Sequence, residues 1–289
     1  MYSITMSLAQ IIIQKIQNDG PNSFHDFMEL ALYYPEYGYY TSSKEKIGKH
    51  GDFYTTPYLT SIFGYMIAKQ LEEMWHILDK KPFTIVEYGA GSGFLCNDIL
   101  NRLKINNDLY DELNYYIIEK SEAMRQKEKM FLHQKVQWVN CIRDVPLNVG
   151  CVLSNEVVDN FPVHRVVMEN ELMEVFVDYN NGFVEILNLA SETLENYLNE
   201  LQIILPKGFR TEVNLHVTEW IKEIVDTLKA GFVLTIDYGH PSSILYNNQK
   251  SRGTLVCYHK QSINYCPYAN IGEQDITDML ISRRCIPQV

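Results

Sequence analysis

The sequence has no apolar run long enough to cross a bilayer, and its first residues form neither a signal-like apolar core nor an Arg-rich, acid-free leader. A cytoplasmic chain without a membrane span is therefore expected. Paired cysteines are missing as well. Cys96, Cys141, Cys151, Cys257, Cys266 and Cys285 are scattered, with no Cys-x-x-Cys. That speaks against a zinc knuckle or a disulfide framework and fits a reducing compartment. The eight histidines are equally dispersed, with no His-x-x-x-His on a helix, so no metal is expected. Positive charge is in deficit: 25 Lys and Arg face 36 Asp and Glu, a net charge of −11. That balance argues against nucleic acid or an anionic membrane as partner and leaves room for a basic protein segment.

What is present is ordinary globular composition, 46% apolar and 21% charged over 289 residues. A chain of this length can bury one large core, or one core with an accessory lobe. From Ser7 to Asn18 the residues Leu8, Ile12 and Ile16 share one helical face, and Gly20-Pro21 stops it. Ser23 with Asp26 reads as the N-cap of a second helix, carrying Phe24, Phe27, Met28 and Ala31 and ending before Pro35. The tyrosines between Tyr33 and Tyr40 suit a packing seam better than a substrate surface. Lys44 to His50 is basic and expected to be exposed. Thr56-Pro57 then starts a helix running through Ile62, Met66, Ile67, Leu71 and Trp75.

Strand and helix alternate from Phe83: strands at Phe83–Glu87, Tyr115–Glu119, Val136–Val139 and Cys151–Ser154, helices at Phe94–Leu103 and Ser121–Leu132. This order implies an α/β, Rossmann-like, doubly wound and mostly parallel sheet with ligands at the carboxyl ends of its strands. After Pro162 the pattern changes to antiparallel strands from Arg165 to Leu189, turning at Asn180-Asn181-Gly182. Helices follow at Glu192–Leu201 and Leu215–Leu228, and a strand at Phe232–Asp237. The expected organisation is an N-terminal helical lobe over 1–80 and a main domain over 81–289, with an insertion at about 161–214.

The stretch Glu87-Tyr88-Gly89-Ala90-Gly91-Ser92-Gly93-Phe94 sits between a strand and a helix. Its glycines let the backbone turn sharply and approach a ligand, and the helix start offers free N–H groups to it. A dinucleotide fingerprint would need Gly-x-Gly-x-x-Gly, and Phe94 stands where its last glycine belongs. Glu87 would repel a pyrophosphate and suits a cationic amino-acid group, and Glu119 at the next strand end can accept from two ribose hydroxyls. S-adenosylmethionine meets these requirements. Gly51-Asp52 reads equally as a plain turn or, with Asp52 and Thr55, as the mouth of that site.

The chain resembles the MidA-like methyltransferases, bacterial relatives of the mitochondrial complex I assembly protein arginine methyltransferase. The resemblance rests on blocks spread over nearly the whole chain. They are Ser23 to Tyr40, Gly51-Asp52-Phe53-Tyr54-Thr55-Thr56-Pro57, Glu87 to Gly93, Asn155-Glu156 with Asp159 and Pro162, Asp237-Tyr238-Gly239-His240, and Gly253-Thr254 on to Gly272-Glu273-Gln274-Asp275-Ile276-Thr277. It implies a class I fold and methylation of a partner protein at arginine. Two features depart from the family: Tyr58 stands where an acidic residue is usual, and the residues after Thr277 do not look like the family's longer continuation, which implies a truncated C-terminus.

An arginine acceptor stays protonated near neutral pH, so carboxylates must grip it and take up a proton. Glu156 is the first candidate and Asp159 the second, with Asn155 beside them and Asp237 at another strand end. Two alternatives remain. One is a non-catalytic assembly factor that only binds cofactor and partner. The other is a nicotinamide-dependent oxidoreductase, disfavoured by Glu87 and Phe94.

Overall fold

The computed structural model describes residues 6–44, 46, 48, 51–52, 56–132 and 134–281. Helix α1 (Leu8–Asp19) begins at a complete capping box. The Ser7 hydroxyl accepts from the Gln10 N–H, and the Gln10 side chain accepts from the Ser7 N–H. Ser23 caps α2 (Phe24–Tyr33) as expected, but Asp26 turns to His25, so that box is only half formed.

The helix expected from Thr56 is two helices, α3 (Thr56–Leu59) and α4 (Ile62–Ile77), and the break corrects the buried stripe. The Thr60 hydroxyl accepts the Ile62 N–H at 3.2 Å and competes with helix continuation. Ile62 and Met66 face solvent, while Gly64, Ile67, Ala68, Leu71, Met74 and Trp75 are buried.

The chain continues through β1 (Phe83–Tyr88), α5 (Phe94–Leu103), the short α6 (Asn107–Glu112), β2 (Leu113–Ile118), α7 (Glu122–Phe131), β3 (Val136–Val139) and β4 (Val149–Asn155). Then come β5 (His164–Met168), β6 (Leu172–Tyr179), β7 (Phe183–Leu189), α8 (Glu192–Glu200), β8 (Arg210–Val213), α9 (His216–Thr227) and β9 (Ala230–Ile236). Strands β10 (Val256–His259), β11 (Ser262–Asn264) and β12 (Asp275–Thr277) follow.

These elements form two compact units. One comprises Ser43–Val157 and Glu219–Asp237. Its parallel sheet has the order β9-β4-β1-β2-β3. The apolar run of β1 is buried on both faces, as a central parallel strand requires. Ile85, Tyr115, Ile117 and Leu153 pack in one core with Leu71 and Trp75 of α4 and Ile99 and Leu100 of α5. From β1 the chain winds outward through β2 and β3, then returns to β4 on the other side of β1. The gap between the ends of β1 and β4 is thus the topological switch point, where such sheets bind ligands.

The other unit comprises Met1–Ser42, Val158–Thr218 and Tyr238–Val289. Here the pair Asn22–Ser23, β6, β5 and β8 form an antiparallel sheet, with β7 paired to β6 through the turn at Asn181 and Gly182. A small sheet of order β11-β10-β12 lies in the same unit. Phe24 and Phe27 of α2 meet the rings of Tyr268 and Phe183. The tyrosines near Tyr40 are packed inside this unit, the Tyr40 hydroxyl donating to Asp275 at 2.7 Å and the Tyr33 hydroxyl to the Asn160 carbonyl. The N-terminal helices, the antiparallel segment and the last strands are therefore one body, while 43–80 lies with the parallel sheet. Among the described residues no helix is long and apolar enough to cross a membrane.

Candidate active site

The glycine loop follows β1 directly. Gly89, Gly91 and Gly93 have φ of 60°, 58° and 77°, all in the left-handed region, so each position favours glycine over any residue with a Cβ. The loop is tied at both ends. The Gly89 N–H donates to the Ile118 carbonyl at 2.9 Å, and the Gly93 N–H to the Ala90 carbonyl at 2.9 Å. Gly93 is the N-cap of α5 and provides no side-chain cap, so the helix start keeps N–H groups for an incoming acceptor. Phe94 packs its ring against Tyr58 and Phe131, at 5.6 and 5.3 Å between centroids, in the place a dinucleotide motif reserves for glycine. Tyr58, at the family's usual acidic position, thus closes an aromatic contact over the start of α5.

Glu87 is 2% exposed, and its carboxylate accepts the Tyr115 hydroxyl at 2.8 Å. Burial pushes its pKa up to about 7; the Tyr115 hydrogen bond opposes this, and the nearby Glu119 charge adds to it. Glu119 lies one residue past β2 and accepts the Ser121 N–H at 2.7 Å. Burial raises its pKa, against the Ser121 N–H, the Arg125 and Lys46 charges and the Gly91 N–H. Glu119 therefore sits against the glycine loop itself.

Lys46 corrects the expectation of an exposed basic stretch: it is 5% exposed. Burial lowers its ammonium pKa to about 8, with Lys127 pushing the same way and Glu119 and Asp52 opposing. The Asp52 N–H donates to the Lys46 carbonyl at 2.7 Å. Nothing in one sequence separates Lys46 from Lys44 or Lys49, so this lysine could not have been chosen in advance. Tyr115 was also missed, though a tyrosine in a buried strand needs a partner for its hydroxyl. Thr55 lies outside the described residues.

On the other side of the switch point, Asn155 ends β4 and pairs in register with Ile236 of β9. Glu156 follows with φ 51°, a left-handed backbone that a non-glycine residue adopts at a cost of about 1–3 kcal/mol. Its N–H donates to the Ile236 carbonyl at 2.9 Å and fixes that geometry. Burial raises the Glu156 carboxyl pKa, the Asp237 charge adds to this, and a hydrogen bond from Asn155 opposes it. Asn155, Glu156 and Asp237 are thus brought together at the ends of two adjacent strands.

Asp159 belongs to the antiparallel unit. It is 3% exposed, accepts the Tyr238 hydroxyl, and its carbonyl takes the Asp278 N–H at 2.9 Å. His240 lies in a two-residue pair with Ile281. Among the described residues no group of three His, Cys, Asp or Glu could hold a metal.

The glycine loop suits a ligand approached by backbone N–H groups, and Glu119 suits one with adjacent hydroxyls, so the residues present fit an adenosyl cofactor. A parallel sheet with these groups at its switch point is a class I methyltransferase fold. The chain belongs to the family described as "Putative S-adenosyl-L-methionine-dependent methyltransferase", whose model matches residues 66–280.

It is similar to the NDUFAF7 homolog of Caenorhabditis elegans, named a mitochondrial protein arginine methyltransferase, with 26% identity over 87% of this chain and 67% of that protein. The Drosophila melanogaster homolog, of the same name, is 27% identical over 81% of this chain and 60% of its own length. The chain thus spans about three fifths to two thirds of these relatives. A crystal structure of a Burkholderia thailandensis protein bound to S-adenosyl-homocysteine superposes with a TM-score of 0.87 at 26% identity, covering 96% of this chain and 73% of that one.

Proposed function

We infer that this chain is an S-adenosylmethionine-dependent methyltransferase that methylates an arginine side chain of a partner protein. The observation that carries the reading is the strained Glu156, held beside Asp237 across the switch point from the glycine loop. The names of the relatives and the S-adenosyl-homocysteine in the similar crystal structure support it.

S-adenosylmethionine would supply a methyl group activated by a positive sulfur. Gly89, Ala90, Gly91 and Gly93 would cradle it with backbone, and Glu119 would accept from its ribose hydroxyls. Lys46 would brace Glu119 by its charge, with Asp52 beside Lys46 at the mouth of the site, and Thr55 belongs to the same stretch of sequence. Glu87, buried just before the loop, would be held in place by the Tyr115 hydroxyl that it accepts. Glu156 and Asp237 would hold the substrate guanidinium. Two carboxylates that repel each other are relieved when a cation enters between them. They orient one nitrogen for attack and accept the proton it loses, while Asn155 steadies Glu156. Asp159 would act at a distance, by fixing the turn after Glu156 through Tyr238.

Calorimetry with S-adenosylmethionine should show binding that Gly91→Val abolishes. Transfer of a labelled methyl to a protein in host lysate should fall at least 100-fold in Glu156→Gln while cofactor binding persists. Undiminished transfer in that variant would overturn the assignment of Glu156. Cofactor binding without any labelled protein would leave the non-catalytic assembly factor as the function.

A further inference from the structure

The surface around the start of α4 is apolar over a long stretch. Tyr58, Leu59, Ile62, Tyr65 and Met66 are all exposed, and so are Met130 and Phe131 at the end of α7. Ile62, Tyr65 and Met66 share one face of α4, being three and four residues apart. The two groups are joined through Phe94, whose ring meets that of Tyr58 and that of Phe131. All of these residues belong to the parallel-sheet unit. Between Asp52 and Lys69 the sequence carries no charged residue. Further along the exposed face of α4 stand Lys69, Gln70 and Glu73. An apolar centre with a polar rim is the anatomy of a protein interface.

These side chains are between 38% and 82% exposed. A large aromatic side chain carries about 150–250 Å² and an aliphatic one on the order of 100 Å², so the exposed fractions amount to on the order of 500 Å² of apolar surface. A monomer's largest apolar patch is about 300–600 Å², so this one stands in the upper part of that range. It also matches the apolar share of a stable dimer face, which buries about 800 Å² per partner, somewhat over half of it apolar. A charged partner, whether a basic protein segment or an anionic lipid surface, would find no opposite charge between Asp52 and Lys69. Two copies of a chain of net charge −11 repel each other, so they can pair only where the contact adds no like charges, and this face meets that condition.

We propose that this face pairs with its own copy across a two-fold axis at Ile62, forming a homodimer. With the axis there, Ile62 meets its counterpart, and Leu59 of one protomer meets Met66 of the other, so the patch is complementary to itself. Burial of these three side chains drives association, and Lys69 and Glu73 lie at the rim. Phe94 follows the glycine loop directly, so the dimer contact borders that loop in each protomer. The proposal is independent of the methyl-transfer reading, since neither Glu156 nor Asp237 takes part.

The test is sedimentation velocity on the full chain at micromolar concentration. Wild type should sediment at twice the mass of the chain. Ile62→Glu, Ile62→Lys and Met66→Lys, all at exposed positions, should each weaken dimerisation at least tenfold with unchanged circular dichroism. An equimolar mixture of Ile62→Glu and Ile62→Lys should recover the dimer, because the axis brings opposite charges together. Ile77 is as exposed as Met66 but ends α4, about 22 Å from Ile62, and Ile77→Glu should leave the dimer intact. A wild type that stays monomeric in the high micromolar range, a folded Ile62→Glu that pairs as wild type does, or loss of the dimer in Ile77→Glu would overturn the proposal. A mixture that stays monomeric would overturn the axis at Ile62. Binding of a monomeric wild type to phosphatidylcholine vesicles, lost in Ile62→Glu, would make lipid the occupant and overturn the dimer.

Discussion

At the ends of β1 and β2, Glu87 and Glu119 look alike in sequence and occupy very different surroundings. Glu119 is held by backbone N–H groups at the loop, whereas Glu87 is sunk beneath it against Tyr115. A carboxyl whose pKa is raised on folding stabilises the protein while protonated. That contribution is complete below about pH 4.5 and disappears as the pH climbs through about 7. Wild type should therefore lose up to about 3 kcal/mol relative to Glu87→Gln between pH 5 and 8. Urea midpoints of both proteins across that range measure it, and a constant difference would show that Glu87 ionises freely.

Helices α4 and α5 approach so closely that a Cβ on Gly64 would lie 2.5 Å from the Asp98 Cβ. A methyl there gains about 1 kcal/mol of helix propensity but must push the helices apart, and such overpacking costs about 1–3 kcal/mol. Gly64→Ala is expected to be net destabilising in urea denaturation, and Gly64→Val more so. Because α5 starts at the glycine loop, the same substitutions should weaken S-adenosylmethionine binding in calorimetry. A variant as stable as wild type would mean that α4 and α5 can slide without cost.

Both units are assembled from separated stretches of chain. The parallel sheet takes β9 from beyond residue 219, and the antiparallel unit takes its last strands from beyond residue 238. Stopping the chain after Leu228 would leave β4 without β9, Glu212 without the Thr254 N–H and Asp159 without the Tyr238 hydroxyl. The 1–228 fragment should lose its near-ultraviolet circular dichroism and cooperative melting. A fragment that still melts cooperatively would show that β9 is dispensable.

The sequence by itself determined the local order: the β-α alternation, the turn-forming glycine loop, the hairpin at Asn181 and the cap at Ser23. Each is set by neighbours within a few residues, through periodicity, backbone freedom or capping. It also placed Asn155, Glu156 and Asp237 at strand ends, the edge where a parallel sheet presents side chains to a ligand. Tertiary structure decided the rest. Lys46 is buried where the Glu119 charge, far along the chain, offsets part of its desolvation. Asp159 takes its partners from residues 238 and 278. Such pairings join segments far apart in the chain, and only packing chooses among them.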